Sequence, residues 1–128
     1  MLKLLDGPVA GVFLVNRAPM FLRAVIDDRT NEKDVLDQID DEPKSTESLF
    51  VYEIQGAAGW VHLLMSPRSK SGFFAAGEYK HIDEIDGEPI DTKAIRNNDT
   101  WRAWVMARTK ARGLVVNPIN GAIQGPAQ

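Results

Sequence analysis

Cysteine is missing from this chain of 128 residues. Without a thiol, the protein cannot hold a disulfide framework, a thiolate zinc site or an iron–sulfur cluster, and it has no cysteine nucleophile. The absence suits a reducing compartment, so we expect a cytoplasmic protein. The length is that of one domain, and a domain of this size buries enough surface to fold without a metal or a disulfide.

Long apolar runs are also missing. Asp6, Gly7 and Pro8 interrupt the N-terminus before the apolar region of a signal peptide can form. The longest apolar stretch, near Gly11 to Val15, has the length of a strand and not of a membrane span. We therefore expect neither a secretory leader nor an association with membranes.

The sequence carries no catalytic or phosphate-binding motif. It has no G-x-S-x-G elbow, no S-x-x-K, no G-x-x-x-x-G-K-[ST] loop and no G-x-G-x-x-G turn. We therefore favour a protein without enzymatic activity. An enzyme stays an alternative if His62 or His81 shares a pocket with a carboxylate. The carboxylates considered for that role are Glu53 and Glu78.

Metal ligands are sparse as well. The predicted hairpin register places His62 and His81 five residues apart along the sheet, roughly 17 Å at the usual strand rise. The two histidines should therefore not share a metal. The acidic run from Asp83 to Asp91 does not match the EF-hand loop, because Ile85 stands where an oxygen ligand is needed. We expect no metal and no cofactor.

Apolar segments of strand length, separated by turn residues, predict an α+β fold with about five antiparallel strands. The first two form a hairpin, and its first strand is so apolar that we expect it in the middle of the sheet. The other three form a meander. Odd-numbered residues of its first strand face one side and even-numbered residues the other. The five predicted strands are Val9–Val15, Met20–Ile26, Leu49–Gln55, Trp60–Met65 and Phe73–Ile82.

One C-terminal helix is predicted to pack on this sheet. It spans Thr100–Arg112, with Asn98 or Asp99 as the N-cap and Gly113 as the stop. Its strong helix formers and the basic residues of its last turns both favour this assignment.

An acidic insertion, Asp27–Glu47, follows the first predicted hairpin. It is predicted to form either a short helix, capped by Thr30 or Asn31, or a solvated loop. The apolar side of that short helix would consist of Val35, Leu36 and Ile39.

We place a single domain at residues 1–116. Residues 117–128 hold two prolines and two glycines, which favour an extended or disordered tail.

Charge is unevenly distributed, although the net charge is only −3. Residues 27–47 carry nine acids and three bases (net −6), and residues 78–91 carry six acids and one base (net −5). Residues 93–112 carry six bases and one acid (net +5). This segregation predicts a molecule with one basic face, while the acidic net charge argues against a dedicated nucleic-acid binder.

The predicted helix carries the most informative pattern. Trp101 and Trp104 open an apolar stripe that continues through Ala107 and Ala111, and Arg108 lies within the same stripe. We interpret the tryptophans as residues anchored in the core. The arginines either extend past the sheet into solvent or form a surface that binds a partner or an anion. The candidates for such a surface are Arg102, Arg108, Lys110, Arg112, Arg68 and Lys70.

We therefore predict a small non-catalytic binding or regulatory module that acts through a protein partner. A nucleic-acid-associated accessory protein is the first alternative, and it requires the basic candidates to form one continuous patch. A small enzyme with a histidine-containing pocket is the second. A homo-oligomer is compatible with all three.

Overall fold

A computed structural model describes residues 1–15, 17–36, 41–55, 59–63, 72–111, 114–116 and 123–126 of the chain. It shows a small α+β fold in which one helix packs on a mostly antiparallel sheet. A short 3₁₀ helix, Ala94–Arg96, precedes the α-helix. The elements are β1 (Leu2–Leu4), β2 (Gly11–Phe13), β3 (Phe21–Asp27), β4 (Lys33–Leu36), β5 (Glu47–Ile54), β6 (Gly59–Leu63), β7 (Gly72–Ile82), β8 (Glu84–Ile85), β9 (Glu88–Pro89), α1 (Asn98–Ala111), β10 (Leu114–Val116) and β11 (Ile123–Pro126).

The main sheet has the strand order β2-β1-β7-β5-β3-β4. Neighbouring strands run antiparallel, except that β1 and β7 are parallel. The first half of β7 pairs with β6 and the second half with β5. The two ends of the path are therefore β2 and β4. Two small hairpins, β8–β9 and β10–β11, accompany the main sheet.

The inner face of the sheet is buried, although the core cluster there contains no helix residue among those that the structure describes. Leu22, Tyr52 and Tyr79 are fully buried there, one each from β3, β5 and β7, and Leu2 and Leu4 join them from β1. The sheet achieves this burial by curling nearly into a barrel, so that its own strands cover one another.

The outer face is covered over β3 and β5 by α1 and the 3₁₀ helix. Phe21, Val25 and Val51 form one core cluster with Trp101 and Val105 of the helix. The side chains of β3 and β5 alternate between this cluster and the inner one. The predicted alternation of β5 is confirmed, and β3 and β5 contribute apolar residues to the core on both faces.

The predicted C-terminal helix is confirmed, with small shifts at its ends. α1 begins at Asn98, because Asn97 Oδ1 accepts the backbone N–H of Thr100 at 3.1 Å and so caps the first turn. The expected caps therefore lie inside the helix. α1 ends at Ala111, and residues 112–113, which include the predicted stop, lie outside the described residues.

The predicted hairpin between Val9–Val15 and Met20–Ile26 is wrong. β2 pairs with β1, whereas β3 pairs with β4 and β5. The chain reverses earlier than expected, near Gly7, whose φ of +75° is a left-handed conformation that favours glycine. The expected central position of the first strand is also wrong, because β2 is an edge strand of the main sheet.

A helix after the first predicted hairpin is also wrong where the structure describes that region. β3 and β4 form a hairpin there. Asp27 Oδ1 accepts the backbone N–H of Arg29 at 2.9 Å, and the N–H of Asn31 donates to the carbonyl oxygen of Asp27 at 2.7 Å. Asn31 has a φ of +60°. The polar residues expected to cap a helix instead form a tight turn, and Val35 reaches the inner core from a strand.

The predicted meander is present in part. β6 and β7 form the expected hairpin, but β5 pairs with β7 and not with β6. The predicted number of strands is too low, since β1 and β4 were not anticipated. Ile123–Pro126, in the predicted tail, forms β11 and pairs with β10. The domain boundary at residue 116 stays a prediction, because residues 117–122 and 127–128 lie outside the described part of the chain.

Both tyrosines of the chain are buried in the inner core. The Tyr79 hydroxyl donates to the carbonyl oxygen of Pro19 at 2.5 Å, and the Tyr52 hydroxyl donates to that of Asp6 at 2.8 Å. Burial raises the pKa of both hydroxyls above their ordinary value of 10.0. An acid whose pKa is raised by folding keeps its proton longer in the folded state. The contribution of both tyrosines to stability is therefore lost as pH rises above about 10.

We expect phenolate absorbance to appear only together with unfolding when the protein is titrated above about pH 10. Above about pH 10, each buried tyrosine should make the free energy of unfolding fall by up to about 1.4 kcal/mol per pH unit. Tyr79→Phe removes one of the two tyrosines, so the free energy of unfolding should fall less steeply with pH. Urea unfolding at several pH values measures this slope. Phenolate formation at the ordinary tyrosine pKa, with native circular dichroism, would contradict the prediction.

Candidate functional site

Arg108, a member of the predicted basic surface, is engaged with two carboxylates. Its Nη1 lies 3.3 Å from Asp86 Oδ2 and its Nη2 lies 3.5 Å from Glu88 Oε2, both on exposed residues of the β8–β9 hairpin. The guanidinium carbon is also 5.8 Å from the ring centroid of Trp104. The positive charge of Arg108 is thus paired with carboxylates of the same chain. Exposed ion pairs of this kind contribute at most about 1 kcal/mol to stability.

Of the other basic candidates, the structure describes Arg102 and Lys110. Arg102 is half-buried, and its Nε is buried without a hydrogen-bond partner there. Lys110 is exposed on the same helix. Arg112, Arg68 and Lys70 lie outside the described part of the chain. The continuous patch that nucleic-acid binding requires therefore stays a prediction.

The tryptophans of α1 are anchored in the core, as predicted. Trp101 is buried and stacks on Trp104 at a centroid distance of 5.3 Å, while Trp104 packs edge-on against Phe21 at 4.9 Å. The predicted stripe through Ala107 and Ala111 is wrong, because both are exposed. The buried stripe instead continues from Trp101 towards Thr109, whose hydroxyl donates to the carbonyl oxygen of Val105 at 2.6 Å. The buried residues of the helix are Trp101, Val105 and Thr109.

The two histidines lie far apart. His62 pairs with Phe73 and His81 with Tyr52, so the positions on β7 differ by 81 − 73 = 8 residues, roughly 26 Å. The backbone N–H of His81 donates to Asp6 Oδ1 at 2.7 Å, which gives that carboxylate a structural role. Among the described residues, no group of three metal-ligating side chains is present.

Arg23 is fully buried in the middle of β3. Its Nη1 donates to the carbonyl oxygen of Ile95 at 3.0 Å. Its Nη2 donates to the carbonyl oxygen of Asp41 at 2.7 Å and to Asn98 Oδ1 at 3.0 Å. Burial lowers the pKa of Arg23 to about 10, against the raising effect of the carboxylates of Asp41 and Glu42. The guanidinium therefore stays charged at neutral pH and ties three segments together.

An apolar surface that sequence reasoning missed lies at the β2 end of the sheet. Among the side chains whose exposure the structure describes, four large apolar ones are exposed, and three of these lie on or beside β1 and β2. These are Leu5 (55% exposed), Val12 (56%) and Leu14 (46%). The fourth is Met106 of α1 (40%). Three exposed apolar side chains thus lie close together at this end of the sheet, which is typical of an interaction site.

Strand alternation builds this surface. Leu2 and Leu4 are buried in the inner core, which turns the next residue after β1, Leu5, outward. Phe13 packs on the same core, and its neighbours therefore face solvent. Among the described residues, the helix cluster contains none from β1 or β2, and the side chains on this part of the outer face are exposed. The large side chains exposed on this part of the sheet are Lys3, Leu5, Val12 and Leu14.

β2 also has an open side. Within the described residues it pairs with β1 and with no other strand. The stretch Val9–Val15 contains no charged residue. Edge strands usually carry a charge, a proline or a cover that prevents association. We call Val9–Val15, together with the neighbouring Leu5, the β2 edge. In the sequence, the lack of charge in Val9–Val15 is typical of a buried strand, so it does not predict an edge. The alternation of Leu2, Lys3 and Leu4 is the pattern that could have predicted β1 beside it.

Comparison with protein-family models, with curated proteins and with solved structures finds no match for this chain. No helix among the described residues is long and apolar enough to cross a membrane. The function therefore has to follow from the chemistry of the surfaces described above.

Proposed function

We propose that this protein is a small, non-catalytic binding module of the cytoplasm that takes up an extended segment of a protein partner at the β2 edge. The observation that supports it is the open side of β2 beside the exposed Val12 and Leu14. An open edge offers a row of backbone N–H and C=O groups, to which a partner segment adds as a further strand.

Apolar burial supplies much of the affinity in this proposal. Leu5, Val12 and Leu14 are each about half exposed. Fully burying such a side chain contributes about 1.5–3 kcal/mol, so covering the exposed parts of all three adds roughly 2–4 kcal/mol. Each new backbone hydrogen bond adds about 0.5–1.5 kcal/mol. Because association also costs translational and conformational freedom, we expect a reversible complex of moderate affinity.

A photo-crosslinking amino acid at position 12 tests the proposal in the native host. We expect a few discrete crosslinked proteins, because Val12 lies at the centre of the β2 edge. The same amino acid at position 32 is the matched control. Glu32 is exposed just before β4, which is the opposite end of the strand path, and it should give no such products.

Leu14→Lys provides the second control. Lysine at a half-exposed position should leave the fold intact while placing a charge on the β2 edge. Crosslinking at position 12 should then fall by about tenfold or more, equivalent to about 1.4 kcal/mol. Undiminished products in a natively folded Leu14→Lys protein, or equal products at positions 12 and 32, would count against strand binding at this edge.

A further inference from the structure

We infer that a second copy of this chain occupies the β2 edge, with the two β2 strands antiparallel about a two-fold axis at Val12. The inference names the partner of the proposed function and rests on it. Three features of the chain support it: the sizes of the residues around Val12, the distribution of charge, and the exposed apolar surface. A two-fold pairing of this kind uses the same edge on both copies.

Residue sizes around Val12 are complementary to themselves. The sequence Ala10-Gly11-Val12-Phe13-Leu14 is small before Val12 and large after it. In an antiparallel pair centred on Val12, Phe13 lies opposite Gly11 of the second copy, and Leu14 lies opposite its Ala10. A large side chain beside a glycine covers backbone that the glycine leaves exposed. Within Ala10–Leu14, each pair of opposite positions thus combines a large residue with a small one, except that Val12 lies opposite itself.

Charge does not oppose this pairing. Two identical strands bring like charges together near the axis, but Val9–Val15 contains none. The nearest charged position across the sheet is Lys3, which pairs with Val12 from β1. In the pair, the Lys3 residues of the two copies are three strand spacings apart, about 14 Å. That distance exceeds the Debye length of about 8 Å at physiological salt.

The pairing also covers exposed apolar surface and produces a closed dimer. Val12 and Leu14 of both copies come together on one outer face, bordered by Leu5. The two sheets become continuous, and neither β2 remains an open edge. Because the contact is isologous, assembly stops at the dimer. The interface is small, so we expect a dissociation constant in the micromolar range or weaker.

Charges placed on the axis give the test, because residue 12 faces residue 12 of the second copy. In sedimentation velocity, the parent protein should shift from monomer to dimer between about 10 μM and about 1 mM. Val12→Lys and Val12→Glu should each stay monomeric, since each places like charges in contact. An equimolar mixture of the two variants should recover a dimer that contains one copy of each.

Met106→Lys and Met106→Glu are the matched controls, because Met106 is the exposed large apolar residue of α1. Both should dimerise like the parent. Circular dichroism verifies that each variant is folded, which the 56% exposure of Val12 leads us to expect. A parent that stays monomeric at about 1 mM, a Val12→Lys protein that still dimerises, or a mixture that stays monomeric overturns the inference.

Crosslinking at position 12 separates this failure from a failure of the proposed function. Adducts with a different protein, and none with a second copy, overturn the dimer and leave the strand-binding module in place. The absence of any adduct at position 12, together with a monomeric parent, overturns both.

Discussion

Replacing Arg23 with alanine should lower the free energy of unfolding by about 3–5 kcal/mol. The change empties a fully buried space and removes the donors that satisfy the carbonyl oxygens of Ile95 and Asp41. The hydrogen bond to Ile95 is buried and the one to Asp41 is partly buried, and a buried acceptor that loses its donor costs about 1–3 kcal/mol. A domain of this size is stable by only about 5–15 kcal/mol, so the variant should be close to unfolding. Urea denaturation measures the loss.

Arg96→Ala is the matched control for this prediction. Arg96 also donates to two backbone carbonyls, those of Glu47 at 2.7 Å and Lys44 at 2.8 Å, but its side chain is only partly buried. We expect a loss of about 1 kcal/mol, because water replaces the missing donors. Arg23→Lys keeps the charge without the planar set of donors and should fall between the two. Equal losses for both alanine variants would refute the supporting role of Arg23.

Gly7→Ala should destabilise the protein by about 3 kcal/mol or more. Gly7 has a φ of +75°, and a Cβ built there would lie 2.6 Å from His81 Cβ and 2.7 Å from Tyr52 Oη. Such distances force the turn between β1 and β2 to move. The movement also disturbs the hydrogen bond in which the Tyr52 hydroxyl accepts the N–H of Val9 at 2.9 Å. The β2 edge should therefore be weakened together with the fold.

Gly87→Ala measures the conformational part of that effect alone, so the difference between the two variants gives the steric part. Gly87 has a φ of +81°, similar to that of Gly7, but a Cβ there meets nothing within 4 Å. Only the cost of a left-handed alanine remains, about 1–2 kcal/mol. Urea unfolding of both variants gives the difference. If Gly7→Ala loses no more than Gly87→Ala, close packing of the first turn against Tyr52 and His81 is refuted.

Local patterns in the sequence predicted the elements whose periodicity is strong. The helix, the alternation of β5 and the β6–β7 hairpin each depend on neighbours in sequence, and the structure confirms them. Pairing over long distances escaped prediction. β1 has only three residues and lies parallel to β7, about 75 positions later in the chain. Because β1 lies between β7 and β2, β2 becomes an edge strand, and no feature within Val9–Val15 predicts this position.

Arg23 and Arg108 show the same limit for side chains. Within its apolar segment, Arg23 reads as an interruption, yet it is fully buried, because its partners Ile95 and Asn98 follow 72 and 75 residues later. Arg108 reads as a free cation, yet it meets Asp86 across the fold. The segregated charge was visible in the sequence, but the partner of each charge depends on the tertiary structure.

The most direct test of strand addition at the β2 edge is an N-methyl scan of a bound peptide. Random peptides are selected on the immobilised protein, and single backbone N-methyl groups are then placed along the best binder. Strand addition predicts that N-methylation at every second residue weakens binding by about tenfold or more, because only alternate amides face β2. Binding that is insensitive to every N-methyl group, or that is unchanged in Val12→Lys, would contradict it.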